Sequence, residues 1–346
     1  MSTLLLASAL AGYLDPIEGR PTWDQRALHT WTNLTRVDPM AWASEYSCST
    51  SSFSSSERSS KAPLHYHDGL TEIAQLHSED MRSSNRMTHD SSDGTSFSSR
   101  VWPYYQGSTI AENVAYGYGD TWKAQFQGWM CSSGHRANIM SGSMQHLGAG
   151  VDGTWYTQDF GGGGNTDTPP VAMGVHSPQV PVAKVTYWTT WGGLDAPADL
   201  AVDSDEGCVT LELEAGTQER GAWVGEDDAG EGCVRYRFVW ETASGETGAI
   251  PASGSWQYGQ GCEAFVYEVA GSCGYGGDGG GGDTGGLGLD TGAAIIIEDG
   301  CERTATDRNG DCLEDEPLEQ PGGCASAPVA GIWVVSLLAV GRRRRG

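Results

Sequence analysis

Gly128-Trp-Met-Cys-Ser-Ser-Gly-His-Arg-Ala-Asn-Ile139 is the stretch on which the reading of this chain turns. The run before it, Thr121–Met130, carries Trp122, Phe126 and Trp129 on one side of a helical repeat. Two serines and a glycine then end that repeat and leave His135 at its edge. Upstream lie Met87-Thr-His-Asp-Ser-Ser-Asp-Gly94 and Ile110-Ala-Glu-Asn-Val-Ala-Tyr-Gly117. Downstream lie Leu147-Gly-Ala-Gly-Val151 and Tyr156-Thr-Gln-Asp-Phe-Gly161. Trp23–Trp42 and Leu70–Met87 read as two further helices, and Gly148–Val151 and Trp155–Phe160 as strands. Ser47–Ser60 is a serine-rich loop, and Gly161–Gly164 closes a first domain.

The order and spacing of these segments resembles the CAP superfamily (SCP domains) in its bacterial form, over about residues 23–162. The resemblance implies an α-β-α sandwich with a cleft lined by two histidines and two glutamates. His89, Glu112 and His135 fall at three of those positions, and Ser132 stands where the second glutamate belongs. Tyr116 is a weaker candidate for the same cleft.

On chemistry alone, two imidazoles and a carboxylate can hold Zn²⁺ with open positions. They can also serve as an acid–base pair around water, or brace loops as a hydrogen-bond network. No activated nucleophile accompanies them. Ser91, Ser92, Ser132 and Ser133 are near in sequence, but the GxSxG pattern is absent. His65-Tyr-His67 is a second, less specific metal pattern. His77 belongs to a helix, either facing solvent or in the core. His29, His146 and His176 carry no motif. Arg136 and Asn138 read as structural ties.

Residues 178–270 change character. Val180–Trp188, Cys208–Leu213, Gly221–Val224, Cys233–Trp240, Ser255–Tyr258 and Phe265–Val269 are short, partly alternating runs between turn residues, an all-β Ig-like sandwich pattern. The fold class expected is therefore α+β: a CAP-type sandwich, then an Ig-like sandwich. A Gly/Asp-rich linker (271–300), an acidic cysteine-containing segment (301–320) and an apolar anchor follow.

Both ends read as targeting signals. Leu4–Ala11 is apolar and ends in the small-x-small site Ala9-Leu10-Ala11, which predicts an export signal over 1–11. At the other end, residues 322–346 place Cys324 before the apolar Ala325–Gly341 and then Arg342 to Arg345. Seventeen helical residues reach about 26 Å, just short of the hydrocarbon core. The arginines would remain cytoplasmic. This order resembles the tripartite sorting tags of delta-proteobacterial surface proteins (the MYXO-CTERM type), which implies a membrane partner for the tag and surface anchoring through Cys324.

Charge and cysteine usage agree with export. The net charge of −25 is concentrated in residues 166–320, which hold 29 acids against 6 bases. Nucleic acid is excluded as a partner for want of a basic footprint. Nine cysteines without a CxxC pair point to disulfides in an oxidising compartment. Grouped by domain they predict Cys48–Cys131, Cys208–Cys233, Cys262–Cys273 and Cys301–Cys312, with Cys324 left for the tag. Asp307, Asn309 and Asp311 open like a Ca²⁺ loop. Cys312 and Leu318 occupy the glycine and glutamate positions of an EF-hand, so the pattern resembles a thrombospondin type 3 repeat instead.

The function expected is a surface-displayed module that binds a lipid, glycan or peptide through the His/Glu cleft. The alternatives are a metal-assisted extracellular hydrolase and a structural surface protein with a vestigial cleft. The missing fourth carboxylate and nucleophile weigh against the hydrolase.

Overall fold

Helix α1 (Trp23–Val37) begins on a capping box, in which Thr22 and Gln25 satisfy each other's backbone N–H groups. It stops five residues before the expected Trp42. Asp38 precedes Pro39, which disfavours a helical conformation at Asp38, and the Asp38 carboxylate accepts from the N–H groups of Met40 and Ala41 instead. The computed structural model describes residues 13–16, 19–164, 168–262 and Cys273. The expected export signal, the linker apart from Cys273, the calcium pattern, Cys301, Cys312, Cys324 and the C-terminal tag lie outside the described residues.

After α1 come β1 (His65–Tyr66), α2 (Asp68–Ser84), α3 (Phe97–Val101) and β2 (Thr109–Tyr116). Next is the expected third helix, whose centre is widened. It consists of α4 (Thr121–Lys123), a π-helical turn over Ala124–Gly128 and a 3-10 turn over Trp129–Cys131. Then follow α5 (Ser133–Ile139), β3 (His146–Asp152) and β4 (Trp155–Gly162). The four strands form one sheet in the order β1-β3-β4-β2.

Helix α2 lies directly on β3, and glycine makes that approach possible. A Cβ on Gly150 would stand 2.1 Å from the Ala74 carbonyl oxygen, and one on Gly148 2.1 Å from the Leu70 carbonyl carbon. Helix α1 and the widened helix supply the aromatic and aliphatic side chains of the main core, among them Leu28, Leu34, Phe126 and Trp129, with Phe160 from β4.

The C-terminal region is a pair of antiparallel sheets. Its strands are β5 (Val171–Ser177), β6 (Lys184–Gly192), β7 (Pro197–Ser204), β8 (Gly207–Thr210), β9 (Glu212–Gly216), β10 (Arg220–Asp228), β11 (Cys233–Thr242), β12 (Thr247–Ile250) and β13 (Trp256–Gly259). One sheet runs β5-β6-β10-β9 and the other β12-β11-β7-β8, with β13 on β11. The two share a core of Met173, Val185 and Tyr187 with Val202, Tyr236 and Phe238. The strand expected to start at Val180 starts at Lys184. Val180 and Val182 flank Pro181 and are exposed.

Helix α1 is a wall common to both regions. Thirteen of its fifteen residues are buried, although the sequence shows only one apolar stripe. The stripe meets the first sheet's core, and β5, β6 and β10 cover other parts of the helix. Trp31 packs edge-on against Trp188 at 6.2 Å, and Trp23 Nε1 donates to the His176 carbonyl at 2.8 Å. Some polar residues of α1 are satisfied internally: Asn33 bonds both backbone groups of Leu64, at 2.8 and 2.9 Å, whereas His29 Nε2 and Thr30 Oγ1 are buried without a hydrogen-bond partner among the described residues.

Cys48–Cys131 pairs as expected and ties the serine loop to the widened helix across 83 residues. The expected pairs Cys208–Cys233 and Cys262–Cys273 do not form. The bonds are Cys208–Cys273 and Cys233–Cys262. Strand β7 lies between β8 and β11, which holds Cys208 and Cys233 about two strand spacings apart, beyond disulfide reach. Register decides the actual partner. Cys233 sits opposite Gly259 on β13, and Cys262 follows three residues later.

Candidate functional site

Strand β2 carries Glu112 inward, and its cross-strand partner on β4 is Asp159. The Glu112 side chain is 1% exposed and carries an unusual load. Its Oε1 accepts from His89 Nδ1 at 2.7 Å, and its Oε2 accepts from Arg100 Nη2. Arg100, on α3, is itself buried. Its Nη1 donates to the His89 carbonyl at 2.8 Å and to Ser91 Oγ at 3.3 Å. One guanidinium thus fixes both the carboxylate and the loop that presents His89.

His77 completes the buried cluster from α2. Its Nε2 donates to the Thr88 carbonyl at 2.8 Å and lies 3.9 Å from Glu112 Oε2. Burial lowers its pKa, so the ring is neutral at pH 7. Asp159 is fully buried, and neither of its oxygens receives a hydrogen bond from an N–H or hydroxyl group. Burial first, and then the Glu112 charge, hold its carboxyl well above the ordinary aspartate value of 3.8. A proton on Asp159 shared toward Glu112 takes up one of its two otherwise unpartnered oxygens.

His89 is the solvent-facing member, with its side chain 55% exposed. The hydrogen bond to Glu112 is the main cause that raises its pKa above 6.5. His135 sits in the first turn of α5, half-buried, and its carbonyl accepts from Asn113 Nδ2 at 3.2 Å. Burial lowers its pKa, and the His89 charge lowers it further, so the two imidazoles sense each other. The His135 side chain makes no hydrogen bond to His89 or Glu112 among the described residues.

The Zn²⁺ expectation for His89, Glu112 and His135 does not fit this arrangement. Both Glu112 oxygens are already engaged. Among the described residues no three His, Cys, Asp or Glu side chains gather closely enough to hold a metal ion. The His65-Tyr-His67 pattern is likewise spent on structure: His67 Nδ1 accepts from Leu70 N at 3.2 Å and caps α2. Ser132 is the N-cap residue of α5 and makes no capping bond through its side chain. Tyr116 stacks on Trp155 at 4.1 Å, four residues along β2 from Glu112, or roughly 13 Å. It therefore sits apart from the cluster, exposed over the buried Trp155. Arg136 and Asn138 are ties: Arg136 Nε donates to Glu57 at 2.8 Å, and Asn138 Nδ2 to the Glu112 carbonyl at 3.2 Å.

Beside the cluster lies a groove of about 590 Å³. Arg100 and His77 line it on the Glu112 side. Ser91, Ser92 and Asp80 line its polar part, and Tyr104 adds an aromatic ring. His77, which the sequence left either facing solvent or in the core, is buried, and with Arg100, which the sequence reading missed, it connects the groove to Glu112; Asp159, also missed, backs Glu112 from β4. Arg100 stands in a serine-rich run without a motif, and Asp159 becomes visible only once β2 and β4 are in register.

Among the described residues no helix is long and apolar enough to cross a membrane. Residues 33–161 match the family model described as CAP, the cysteine-rich secretory protein family. The chain is 37% identical over 100 residues to the uncharacterized membrane protein YlbC of Bacillus subtilis, covering 29% of each. It is 31% identical over 134 residues to the uncharacterized protein YkwD of the same organism, covering 37% of this chain and 51% of that one. The chain thus spans about half or less of the length of these relatives. Among solved structures, an extracellular SCP-domain protein of Bacillus anthracis is 31% identical, with a TM-score of 0.28, over 29% of this chain and 34% of that one. A cysteine-rich secretory protein of Staphylococcus aureus is 20% identical, with a TM-score of 0.30, over 42% and 40%.

Proposed function

We propose that this chain, with a CAP domain over residues 33–161, is an exported binding protein whose groove beside Glu112 takes a glycan. The observation that carries this reading is the engagement of Glu112. A carboxylate held by Arg100 and His89 is neither a free general base nor an open metal ligand. It is a rigid support for a groove wall. Hydroxyls and carboxylates paired with an aromatic ring suit a sugar, which offers hydroxyls at its edges and C–H groups on its faces. Three disulfides among the described residues support export to an oxidising compartment. On this reading the β-sheet region, Ig-like by its strand pattern, is the spacer, and Cys324 with Ala325–Gly341 the surface anchor. Deleting 325–346 should release the protein to the medium.

A glycan array probed with the full chain tests the reading. Binding should be selective and should fall with Ser99→Trp, which fills the groove from an exposed position on α3. Retained glycan binding in that variant would move the site elsewhere. Turnover of a peptide library that chelator abolishes would replace binding by metal-assisted hydrolysis.

A further inference from the structure

A second cavity, of about 460 Å³, opens where the last turn of α1, the approach to β1 and the start of β10 meet. Three of its lining side chains are cations, Arg36, Lys61 and Arg220, and none is an acid. The ion pairs among the described residues leave all three out. In a chain with 45 acids against 20 bases, such a convergence without a counter-ion needs a physical reason.

Arg36 makes the case strongest. It is only 1% exposed, yet no carboxylate faces it. Its Nε donates to the Ala62 carbonyl at 2.8 Å, and its Nη1 to the carbonyls of Ile139 and Ser141. Nη2 has no partner among the described residues. Carbonyl dipoles orient the guanidinium and leave its charge uncompensated, which is costly at such burial. Burial and the Arg220 charge push its pKa down to about 9. Lys61 is lowered by burial and by both arginines, and its Nζ is anchored on the carbonyls of Ser56 and Ser59. Arg220 is exposed at the rim. His65 adds a buried Nδ1 without a partner. Burial holds this ring neutral at pH 7, with a pKa of about 4.

We propose that this junction cavity is a binding site for a phosphate group carried by a small organic molecule. Arginine forks suit phosphate oxygens, and a dianion offsets more than one of the three charges. The volume lies within the range of small-molecule sites and exceeds what a lone oxyanion fills. This site is separate from the groove beside Glu112 and does not rest on the glycan reading.

The test is thermal denaturation and calorimetric titration of the full chain with inorganic phosphate and with glucose 6-phosphate, against chloride at matched ionic strength. Both phosphates should raise Tm where chloride does not. Tighter binding of glucose 6-phosphate supports a phosphorylated small molecule, and equal affinity overturns that part in favour of free phosphate. Arg36→Met is uninformative if it fails to fold, so Arg220→Glu is the deciding variant. Its carboxylate faces Arg36 in place of the ligand. It should weaken phosphate binding at least about tenfold and raise Tm in the absence of phosphate. A phosphate response no larger than that of chloride in the wild type overturns the proposal, as does an undiminished response in Arg220→Glu.

Discussion

The groove and the junction cavity handle buried charge in opposite ways. Beside the groove, Arg100 has Glu112, Glu112 has His89, and burial holds the Asp159 proton above the ordinary aspartate value. At the junction, Arg36, Lys61 and Arg220 repel one another, and Arg36 and Lys61 are held by backbone carbonyls and the Ser59 hydroxyl rather than by a carboxylate. A site that closes its own charge balance can be rigid without a ligand. A site that leaves it open is built around something it lacks. Each prediction below attacks one side of this contrast.

The largest effect should come from Glu112→Ala. It strands the Arg100 guanidinium in a buried site, which costs about 3–5 kcal/mol when one partner of such a pair is removed. Urea denaturation reads it directly. A loss below about 1 kcal/mol would mean that Asp159 ionises and takes over, and the groove would then be less tightly balanced than its geometry indicates.

Trp31→Ala should cost about 3–5 kcal/mol or slightly less, by opening a cavity against Trp188. Calorimetry should still show one transition, because α1 is core to both regions. Two separated transitions would make the junction a contact between independent domains and weaken the argument for a site built into it.

Asp159→Asn should leave stability nearly unchanged at acid pH and raise it by more than about 1 kcal/mol toward neutrality, since each unit of pKa shift is worth about 1.4 kcal/mol. The folded state holds the Asp159 proton above the ordinary aspartate value. The wild type therefore loses stability as pH rises through and beyond that value, whereas asparagine, which mimics the protonated acid, does not. Urea midpoints should coincide near the acid end and diverge in favour of the variant toward neutrality. Parallel curves would show an ionised Asp159.

His89→Gln should have the smallest effect, a few tenths of a kcal/mol at a half-exposed site. The raised His89 pKa stabilises the fold fully below 6.5, and that contribution disappears as pH rises through the folded value. The wild-type advantage should be present at acid pH and absent at alkaline pH. An advantage that persists at high pH would assign the bond to the neutral ring.

Much of this was legible in the chain itself. The aromatic spacing of Trp122, Phe126 and Trp129 announced a helix, and the motif residues His89 and Glu112 do meet. What sequence could not carry was register. Asp159 faces Glu112 only because β2 and β4 pair as they do, and the same ignorance of strand order mispaired Cys208 and Cys233. Arg100 was hidden because a buried counter-ion needs no motif, only a place. The amphipathic pattern of α1 showed one apolar stripe and gave no sign that β5, β6 and β10 would cover the polar faces, because the bonds that help bury them, such as Asn33 to Leu64, join residues far apart in the chain.

The shared helix also sets a timetable for biogenesis. Helix α1 leaves the ribosome before the strands that hold the partners of its tryptophans, β5 and β6, of which the second ends at Gly192. At synthesis rates of 5–20 residues per second, that leaves Trp23 and Trp31 waiting roughly 10–30 s for their partners. A chain paused before β6 would carry bare tryptophans, the kind of surface that holdases recognise. The cell must therefore treat the helical first region and its β-sheet neighbour as one cargo.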